Sequence, residues 1–381
     1  MKVAVSNQGN TGTKTLVQEV TLKKGGALKS IDGDPYFDYL PSVRAQMSAD
    51  QFEGFETVDV NYIEWDGTTF AAGDDVIDIR SAYVEQSKGE GRWGEDFQRM
   101  MVALGLARSG VGEEGPEDVL LVMVAPPDKG WPTYVERINK AFVGQQLRIS
   151  INGHEYQQNI KAVKVYPEGV VAGGVLTFNS QGEVANKSGL VGDTVFIGGG
   201  GQTVEAVQTV NGSMVIDQLA YNSYDYAGMH HHVLIPLMEW ARQFPDYAKV
   251  QLHDLEQVIR LGQTVGDWVL SRGNTSKDLR QVVQQLYERY AIWIDNNIIV
   301  SDPRIRGFRG ITRVMFPGGG LEMAIPTFHA KYGDRTKFVD LSEFDWCAGV
   351  DNVTAENFGA LWITLAAMQR GAVIRDGQLT K

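Results

Sequence analysis

Three glycine clusters, each following a short apolar segment, constrain the fold of this chain more than any other feature of its sequence. The clusters lie at Gly9–Gly12, Gly198–Gly201 and Gly318–Gly320. Glycine has no Cβ, so a glycine-rich backbone can approach a phosphate or a base closely. A tight hairpin is the alternative explanation for each cluster taken alone. Three clusters in this order, at these separations, favour a ligand site built from backbone.

The common nucleotide-binding motifs do not occur at these clusters. None contains the GKS or GKT of a Walker loop, and none reads GxGxxG at the start of a helix. A P-loop enzyme and a dinucleotide dehydrogenase are therefore disfavoured.

Composition excludes several other classes of protein. The net charge is −12 and no basic patch is visible, so we expect no direct binding to nucleic acid, and any link to DNA would run through a partner protein. No apolar run approaches the ~18 residues of a membrane span. The single cysteine, Cys347, excludes an internal disulfide framework and a cysteine-based zinc site. We expect a cytoplasmic protein without a membrane span.

The order of predicted elements indicates an α/β fold. Apolar runs predict strands at Lys2–Ser6, Val17–Leu22 and Val119–Ala125, the last of them continuous enough for a central strand covered on both faces. Apolar residues at helical spacing predict a helix over Gly94–Ala107. A strand, a glycine turn and a second strand occur near residue 10 and again near residue 200. This repetition predicts two related α/β halves with a cleft between them.

A long helix is predicted in the second half of the chain, from about Lys277 to Asn296. Thr275 and Asp278 are expected to form its capping box. A buried strand over Ile311–Phe316 then leads into the third glycine cluster.

The clusters also carry a resemblance to a known family. Asn7–Lys14 (NQGNTGTK) resembles a first phosphate loop, typically D-x-G-N-x-x-T-K, and Phe196–Thr203 (FIGGGGQT) resembles a second, typically D-x-G-G-x-T-x-D. Val314–Leu321 (VMFPGGGL) resembles an adenosine motif. In this order they are similar to the motifs of the actin and sugar-kinase ATPase superfamily, and within it to the ParM/StbA-like plasmid-segregation actins of bacteria.

The resemblance implies an actin-like (ribonuclease H-like) fold with two related domains around a nucleotide cleft. Domain I would hold residues 1–166 and 350–381, with a small inserted subdomain at about 35–85. Domain II would hold residues 167–349, with an inserted subdomain at about 220–300. Each domain would carry a five-stranded mixed sheet.

The resemblance also implies the site residues and the cofactors. Glu168, in a segment that resembles the exit from the first domain, would orient the attacking water, and no residue is assigned as a direct metal ligand. The cofactor would be ATP or GTP, with Mg²⁺. The residues expected to bind the nucleotide are Asn7, Gly9, Asn10, Thr13, Lys14, Gly198, Gly199, Gly200, Gly201, Gln202, Gly318, Gly319 and Gly320.

Two departures from the family pattern weaken the expected hydrolysis. An aspartate in each phosphate loop organises Mg²⁺ and its waters in this family. Here those positions hold Asn7 and Phe196, or Asp193 if the second register slips by three residues. Because phosphoryl transfer depends on positioning and electrostatics, we expect slow turnover.

Simpler structural explanations stay open for several of these residues. Lys14 could be an exposed strand residue, and Glu168 an ordinary loop carboxylate. Adjacent histidines on a helix point about 100° apart and chelate one metal poorly, so His230–His232 are expected to be a polar helix entry.

The function implied by the resemblance is a nucleotide-dependent filament of this chain. The filament would move or position plasmid or phage DNA through an adaptor protein, with weak ATPase or GTPase activity. The alternative is a non-polymerising pseudo-ATPase that serves as a scaffold or binding module. A small-molecule kinase is disfavoured because no convincing acceptor base can be named.

Overall fold

The computed structural model of the protein describes residues 1–9, 12–47, 61–78, 84–86, 92–189, 191–334 and 336–380. The chain divides into two compact units. The first comprises Met1–Val191, Met214–Asp217 and Leu341–Lys381, and the second comprises Gly192–Ser213 and Gln218–Asp340. These units do not test the predicted domain and subdomain boundaries, which stay a prediction.

A single large sheet organises the N-terminal part of the first unit. Its strands are β1 (Lys2–Gln8), β2 (Gly12–Leu22), β3 (Leu28–Pro41), β4 (Val43–Gln46), β5 (Ile63–Trp65), β6 (Thr68–Ala72), β7 (Val84–Gln86), β8 (Glu117–Ala125), β9 (Gln146–Ile151) and β10 (His154–Pro167). Their order is β3-β2-β1-β8-β10-β9-β5-β6-β4-β7. The expected five-stranded sheet is wrong here, because β5 pairs with β9 and joins the strands β4–β7 to the central ones.

Apolar periodicity explains why the sheet is covered. Helix α1 (Asp96–Arg108) and strand β8, in which Val119–Ala125 are all buried, confirm the helix and the central strand predicted for these segments. Helix α2 (Trp131–Phe142) buries Tyr134, Ile138 and Phe142, which lie four residues apart and therefore share one face.

The second unit is built on a smaller sheet with helices around it. Its strands are β11 (Thr194–Gly199), β12 (Thr203–Thr209), β13 (Ala220–Asp225), β14 (Val269–Arg272), β15 (Thr275–Asp278) and β16 (Arg313–Met315), and its helices are α3 (Ile235–Ala241), α4 (Leu252–Val265), α5 (Arg280–Ile294) and α6 (Ile325–Tyr332). The main sheet has four strands in the order β13-β12-β11-β16, not the expected five, while β14 and β15 form a separate hairpin. Strands β11 and β16 run parallel.

The predicted start of helix α5 is wrong, because a strand occupies the residues before Arg280, where the helix begins. Thr275 and Asp278 belong to strand β15, and the Thr275 hydroxyl donates to the carbonyl of Arg272 within the hairpin turn. Asp278 accepts a hydrogen bond from the amide of Arg280 at 2.8 Å, so it ends the strand and leads into the helix. The hairpin therefore takes the residues that were expected to cap the helix.

The C-terminal segment returns to the first unit. Helix α7 (Ala355–Gln369) is followed by a small hairpin of β17 (Val373–Arg375) and β18 (Gln378–Thr380). Helix α7 packs against the helical turn Val170–Leu176 through glycines: a Cβ on Gly359 would lie 2.2 Å from the carbonyl oxygen of Val171. This close approach brings the first turn of α7 to the end of strand β1. Within the described ranges, no helix is both long and apolar enough to cross a membrane.

Candidate functional site

In the first unit, the first glycine cluster is a tight hairpin. The amide of Gly9 donates to the carbonyl of Gly12 at 2.8 Å and joins β1 to β2. A Cβ on Gly12 would lie 2.3 Å from the ring of Tyr39, so packing alone accounts for this glycine. Asn10 lies outside the described residues. The hydrogen bond between Gly9 and Gly12 thus fits the hairpin explanation at those two residues, and the predicted contact of this cluster with a ligand stays a prediction.

The register of β1 and β2 sorts the predicted side chains onto two faces. Asn7 pairs with Lys14, and directly opposed residues of an antiparallel pair share a face of the sheet. Thr13 lies on the other face, where its hydroxyl is 2.9 Å from that of Ser42. The structure therefore brings Asn7 and Lys14 together and engages Thr13 in the core of the sheet.

Carboxylates surround Lys14. Its ammonium donates to the carbonyl of Val353 at 2.7 Å. Burial lowers the pKa of Lys14, while the negative charges of Glu356, Asp351 and Glu168 oppose that change by favouring the charged ammonium. Lys14 is half-buried and bonded, so it is not an exposed strand residue.

Glu356 is the residue of this cluster that the sequence did not indicate. It lies in the first turn of α7 and its side chain is buried. One carboxylate oxygen accepts a hydrogen bond from the Asn7 amide at 2.7 Å, and the other accepts from the backbone amide of Gly169 at 2.8 Å. Its partners lie 349 and 187 positions away, so no local pattern could have revealed it.

Glu168 lies at the turn that follows β10. Its amide donates to the carbonyl of Ala125 at 2.8 Å, and the next residue, Gly169, turns the chain with a φ of 74°. Only glycine adopts that conformation readily. The charge of Glu168 acts on Lys14, and the role of Glu168 toward a water molecule stays a prediction.

In the second unit, the other two glycine clusters touch. They follow β11 and β16, which are parallel neighbours, so both leave the sheet at the same edge. The amide of Gly320 donates to the carbonyl of Gly199 at 3.1 Å, and a Cβ on Gly320 would lie 2.3 Å from that oxygen. Gly318 has a φ of 89°. Backbone conformation explains Gly318 and close packing explains Gly320, while the contact of Gly319 with a ligand stays a prediction.

The carbonyls of the second glycine loop all face one way. Those of Gly200, Gly201 and Gln202 accept hydrogen bonds from the amides of Met229, His230 and Gly228, at 3.1, 2.8 and 3.0 Å. A peptide unit is planar and trans, so each amide points opposite to the carbonyl that precedes it. The amides of Gly201 and Gln202 consequently point away from the helical segment, and they donate to no backbone carbonyl in the part of the chain that the structure describes. Successive amides turned outward form a cradle for an anion.

The three histidines support this loop. The Gln202 amide group lies 3.1 Å from Nδ1 of His230 through its nitrogen and 3.3 Å from Nε2 of His231 through its oxygen. His232 stacks on Tyr290 and packs against Trp293. Burial lowers the pKa of His232, which keeps it neutral near pH 7. They open a π-helical turn, His230–Leu234, that continues into α3, and two of them hold the side chain of Gln202.

In the second phosphate loop, neither Phe196 nor Asp193 supplies the carboxylate that the family pattern would place there. Phe196 is fully buried. Asp193 lies at the opposite end of β11, five residues from Gly198, or about 17 Å along a strand, and its side chain accepts from the amide of Asn211. The carboxylate beside the loop is that of Glu205, the cross-strand partner of Gly198, with an oxygen 3.8 Å from an ideal Cβ on Gly198. Sequence reasoning missed Glu205, although it follows the loop directly on the next strand.

The resemblance implies a nucleotide and Mg²⁺, and the described residues suit the nucleotide phosphates better than they suit the metal ion. The outward amides of Gly201 and Gln202 suit a phosphate oxygen, which accepts hydrogen bonds and carries negative charge. Across the described ranges, no three His, Cys, Asp or Glu side chains are grouped to hold a metal ion. Mg²⁺ commonly uses one or two carboxylates with substrate phosphates and water. The described residues thus include outward amides that suit a phosphate and no group of side chains that would enclose a metal ion.

Comparison with known proteins identifies the fold. Residues 25–170 match the family model described as the N-terminal domain of actin-like proteins. No curated protein matches the chain. Ta0583, an archaeal actin homologue, is similar with a TM-score of 0.67 at 18% identity over 95% of this chain and 98% of that one. The same homologue in complex with ADP gives 0.64 at 16%, over 97% and 100%.

Bacterial filament proteins are similar to the same extent. The ParM of Clostridium botulinum, solved as a 15-stranded filament, gives a TM-score of 0.62 at 14% identity over 94% of this chain and 97% of that one. At these identities the likeness shows the fold alone. The predicted α/β, actin-like fold is confirmed. The chain therefore has the actin-like fold over nearly its whole length, and its residues 25–170 match the N-terminal domain of actin-like proteins.

Proposed function

We propose that the protein binds a nucleoside triphosphate and assembles into filaments. The observation that carries the binding is the cradle of the second unit, where the amides of Gly201 and Gln202 point outward beside Gly318–Gly320. The archaeal homologue of the same fold binds ADP. In this chain, the phosphates would lie on the cradle and the base against Gly319.

The geometry of the cradle favours a phosphate over other ligands. Its carbonyls are occupied by Gly228, Met229 and His230, so the loop offers a ligand donors and no free carbonyl acceptors. Gln202, held between two histidines, keeps the loop in this arrangement. A preorganised set of amides binds an anion without first paying to order the loop.

We propose that hydrolysis of ATP or GTP is slow and depends on Glu168. A carboxylate at this turn can accept a proton or a hydrogen bond from the attacking water. Lys14 is a cation, and Asn7 is neutral and donates to Glu356, so neither supplies the carboxylate that Mg²⁺ prefers. Mg²⁺, if used, would be held through phosphates and water.

Self-association is the second part of the proposal. The C. botulinum relative forms a 15-stranded filament. Head-to-tail contacts that do not close into a ring produce an open helix, and a bound nucleotide can favour the conformation that makes them. An adaptor would connect such a filament to plasmid or phage DNA in the cytoplasm, because a net charge of −12 disfavours direct contact with DNA.

A substitution at Gly319 tests nucleotide binding. Gly319→Leu would cover the face on which the base is proposed to lie, so we expect at least a hundredfold weaker binding of ATP and GTP in calorimetry, about 3 kcal/mol. The melting temperature should stay within a few degrees of the wild type. Unchanged affinity in this variant would contradict the proposed contact between the base and Gly319.

Sedimentation tests the filament. At tens of micromolar protein, with ATP or GTP and Mg²⁺, we expect polymer in the pellet and in electron micrographs. Moderate salt should promote assembly, because subunits of like charge repel over ~10 Å at 0.1 M salt. A protein that binds nucleotide yet stays monomeric across the salt series would be the non-polymerising scaffold.

A further inference from the structure

Three segments of the first unit meet at one carboxylate. Strand β1 reaches it through the Asn7 side chain, the turn after β10 reaches it through the amide of Gly169, and α7 carries it as Glu356. The side chain of Glu356 is 6% exposed, so these hydrogen bonds are shielded from water. Glu356 therefore joins the end of β1 to the turn that bears Glu168.

The Glu356 carboxylate satisfies two donors at once. The Asn7 nitrogen and the Gly169 amide are both donors, and the two Glu356 oxygens accept one bond each. A glutamine in its place can keep both contacts if the Asn7 side-chain amide turns over and accepts through its oxygen, so this substitution removes the negative charge and spares the hydrogen bonds. The nearby ammonium of Lys14 balances the negative charge.

We propose that Glu356 is a positioning residue of the nucleotide site, which holds Asn7 and the Glu168 turn in one geometry and supplies from α7 the negative charge that a neutral Asn7 lacks. The inference rests on the proposed nucleotide hydrolysis. It places the charge of the site on the C-terminal helix instead of on β1. Loss of this charge should slow turnover through Glu168 and should leave nucleotide affinity nearly unchanged, because the phosphate cradle belongs to the second unit.

Moving the negative charge from residue 356 to residue 7 tests whether Glu356 acts through its charge or only supports the structure. Glu356→Gln should lower kcat about tenfold or more, with nucleotide affinity within about threefold of the wild type. The double variant Asn7→Asp with Glu356→Gln should recover kcat to within about threefold, because the introduced glutamine donates to the introduced aspartate and still accepts from Gly169. Asn7→Asp alone, which sets two carboxylates side by side, should be impaired and is the matched single control.

Hydrogen exchange supplies a readout that does not depend on turnover. The amide of Gly169 should stay protected in Glu356→Gln and in the double variant, because the glutamine oxygen still accepts from it, so a lower kcat in Glu356→Gln would report the lost charge. Melting temperatures of the four proteins separate local loosening from global unfolding.

The outcomes distinguish the inference from the proposed function. If the wild type binds neither ATP nor GTP, the proposed function fails. If it binds nucleotide, the inference is overturned by any of three results: no detectable turnover, equal kcat in the wild type and Glu356→Gln, or a well-folded double variant without recovery of kcat.

Discussion

Each unit has its own group of candidate ligand-binding residues, and the two groups are built differently. In the second unit, the cradle is made of backbone, and its geometry follows from glycines, parallel strands and a helical segment that binds the loop carbonyls. In the first unit, a side-chain hydrogen bond joins Asn7 to Glu356, and the charges of Glu356 and Glu168 act on Lys14, so this network of side chains is drawn from distant parts of the chain. A site made of backbone can be recognised in a sequence because it requires glycine. A network of side chains from distant segments has no such local pattern, so a single sequence does not reveal it.

The largest effect should come from filling the backbone contact of the second unit. In Gly320→Val, the new Cβ would meet the Gly199 oxygen at 2.3 Å, and the loops must separate. We expect a loss of about 3 kcal/mol in the free energy of unfolding, measured in urea, together with loss of nucleotide binding. Gly310→Ala is the matched control: nothing lies within 4 Å of its Cβ, so only its φ of 78° opposes the change, at about 1 kcal/mol. Equal effects of the two substitutions would mean that the glycine loops do not depend on their mutual packing.

An intermediate effect is expected from removing the cation of the first unit. Lys14→Met keeps most of the side-chain volume but leaves Glu356, Asp351 and Glu168 without the opposing charge. We expect a loss of about 1–3 kcal/mol in the free energy of unfolding, because the carboxylates and the Val353 carbonyl lose their cationic partner. Urea unfolding measures this loss, and an unchanged free energy of unfolding would contradict the role given to Lys14.

The pKa of Lys14 gives a second signature of the same network. Because that pKa is lowered on folding, the unfolded chain binds more protons than the folded one between the folded value and the ordinary value of 10.5. The contribution of Lys14 to stability therefore rises with pH through this window. The difference in unfolding free energy between wild type and Lys14→Met should show this slope.

The smallest effect concerns a side-chain cluster of the second unit away from the glycine loops. Although burial opposes it, hydrogen bonds from Arg304 and Tyr224 bring the pKa of Asp302 to about 2. A pKa depressed on folding stabilises the protein above the ordinary value of 3.8, and this contribution is lost as the pH falls toward 2. In Asp302→Asn, the wild-type advantage, on the order of 1 kcal/mol at pH 5, should disappear by pH 2. An advantage that persists at pH 2 would show that the Asp302 charge is not its source.

The comparison also explains which features the sequence predicted. Continuous apolarity over Val119–Ala125 and helical spacing over Gly94–Ala107 correspond to β8 and α1, because local periodicity reports burial directly. The start of α5 was misplaced, because Thr275 and Asp278 fit a helix cap and a hairpin equally well in isolation.

Of the candidate site, the sequence indicated the two glycine clusters of the second unit, because backbone that packs this closely requires glycine. The clusters Gly198–Gly201 and Gly318–Gly320 were identified, and they do lie together. Glu356 was missed because its hydrogen-bond partner Asn7 is remote along the chain. Glu205 was missed because it lies opposite Gly198 only once the two strands pair. A neutral residue at position 7 suggested a missing charge, and only the folded chain reveals the carboxylate that accompanies it.

A structure of the protein with a bound non-hydrolysable ATP or GTP analogue tests the central claim most directly. We predict phosphate oxygens within hydrogen-bond distance, about 2.7–3.2 Å, of the amides of Gly201 and Gln202, and the base against Gly319. Phosphates bound elsewhere, with the Gly201 and Gln202 amides facing solvent, would contradict the account.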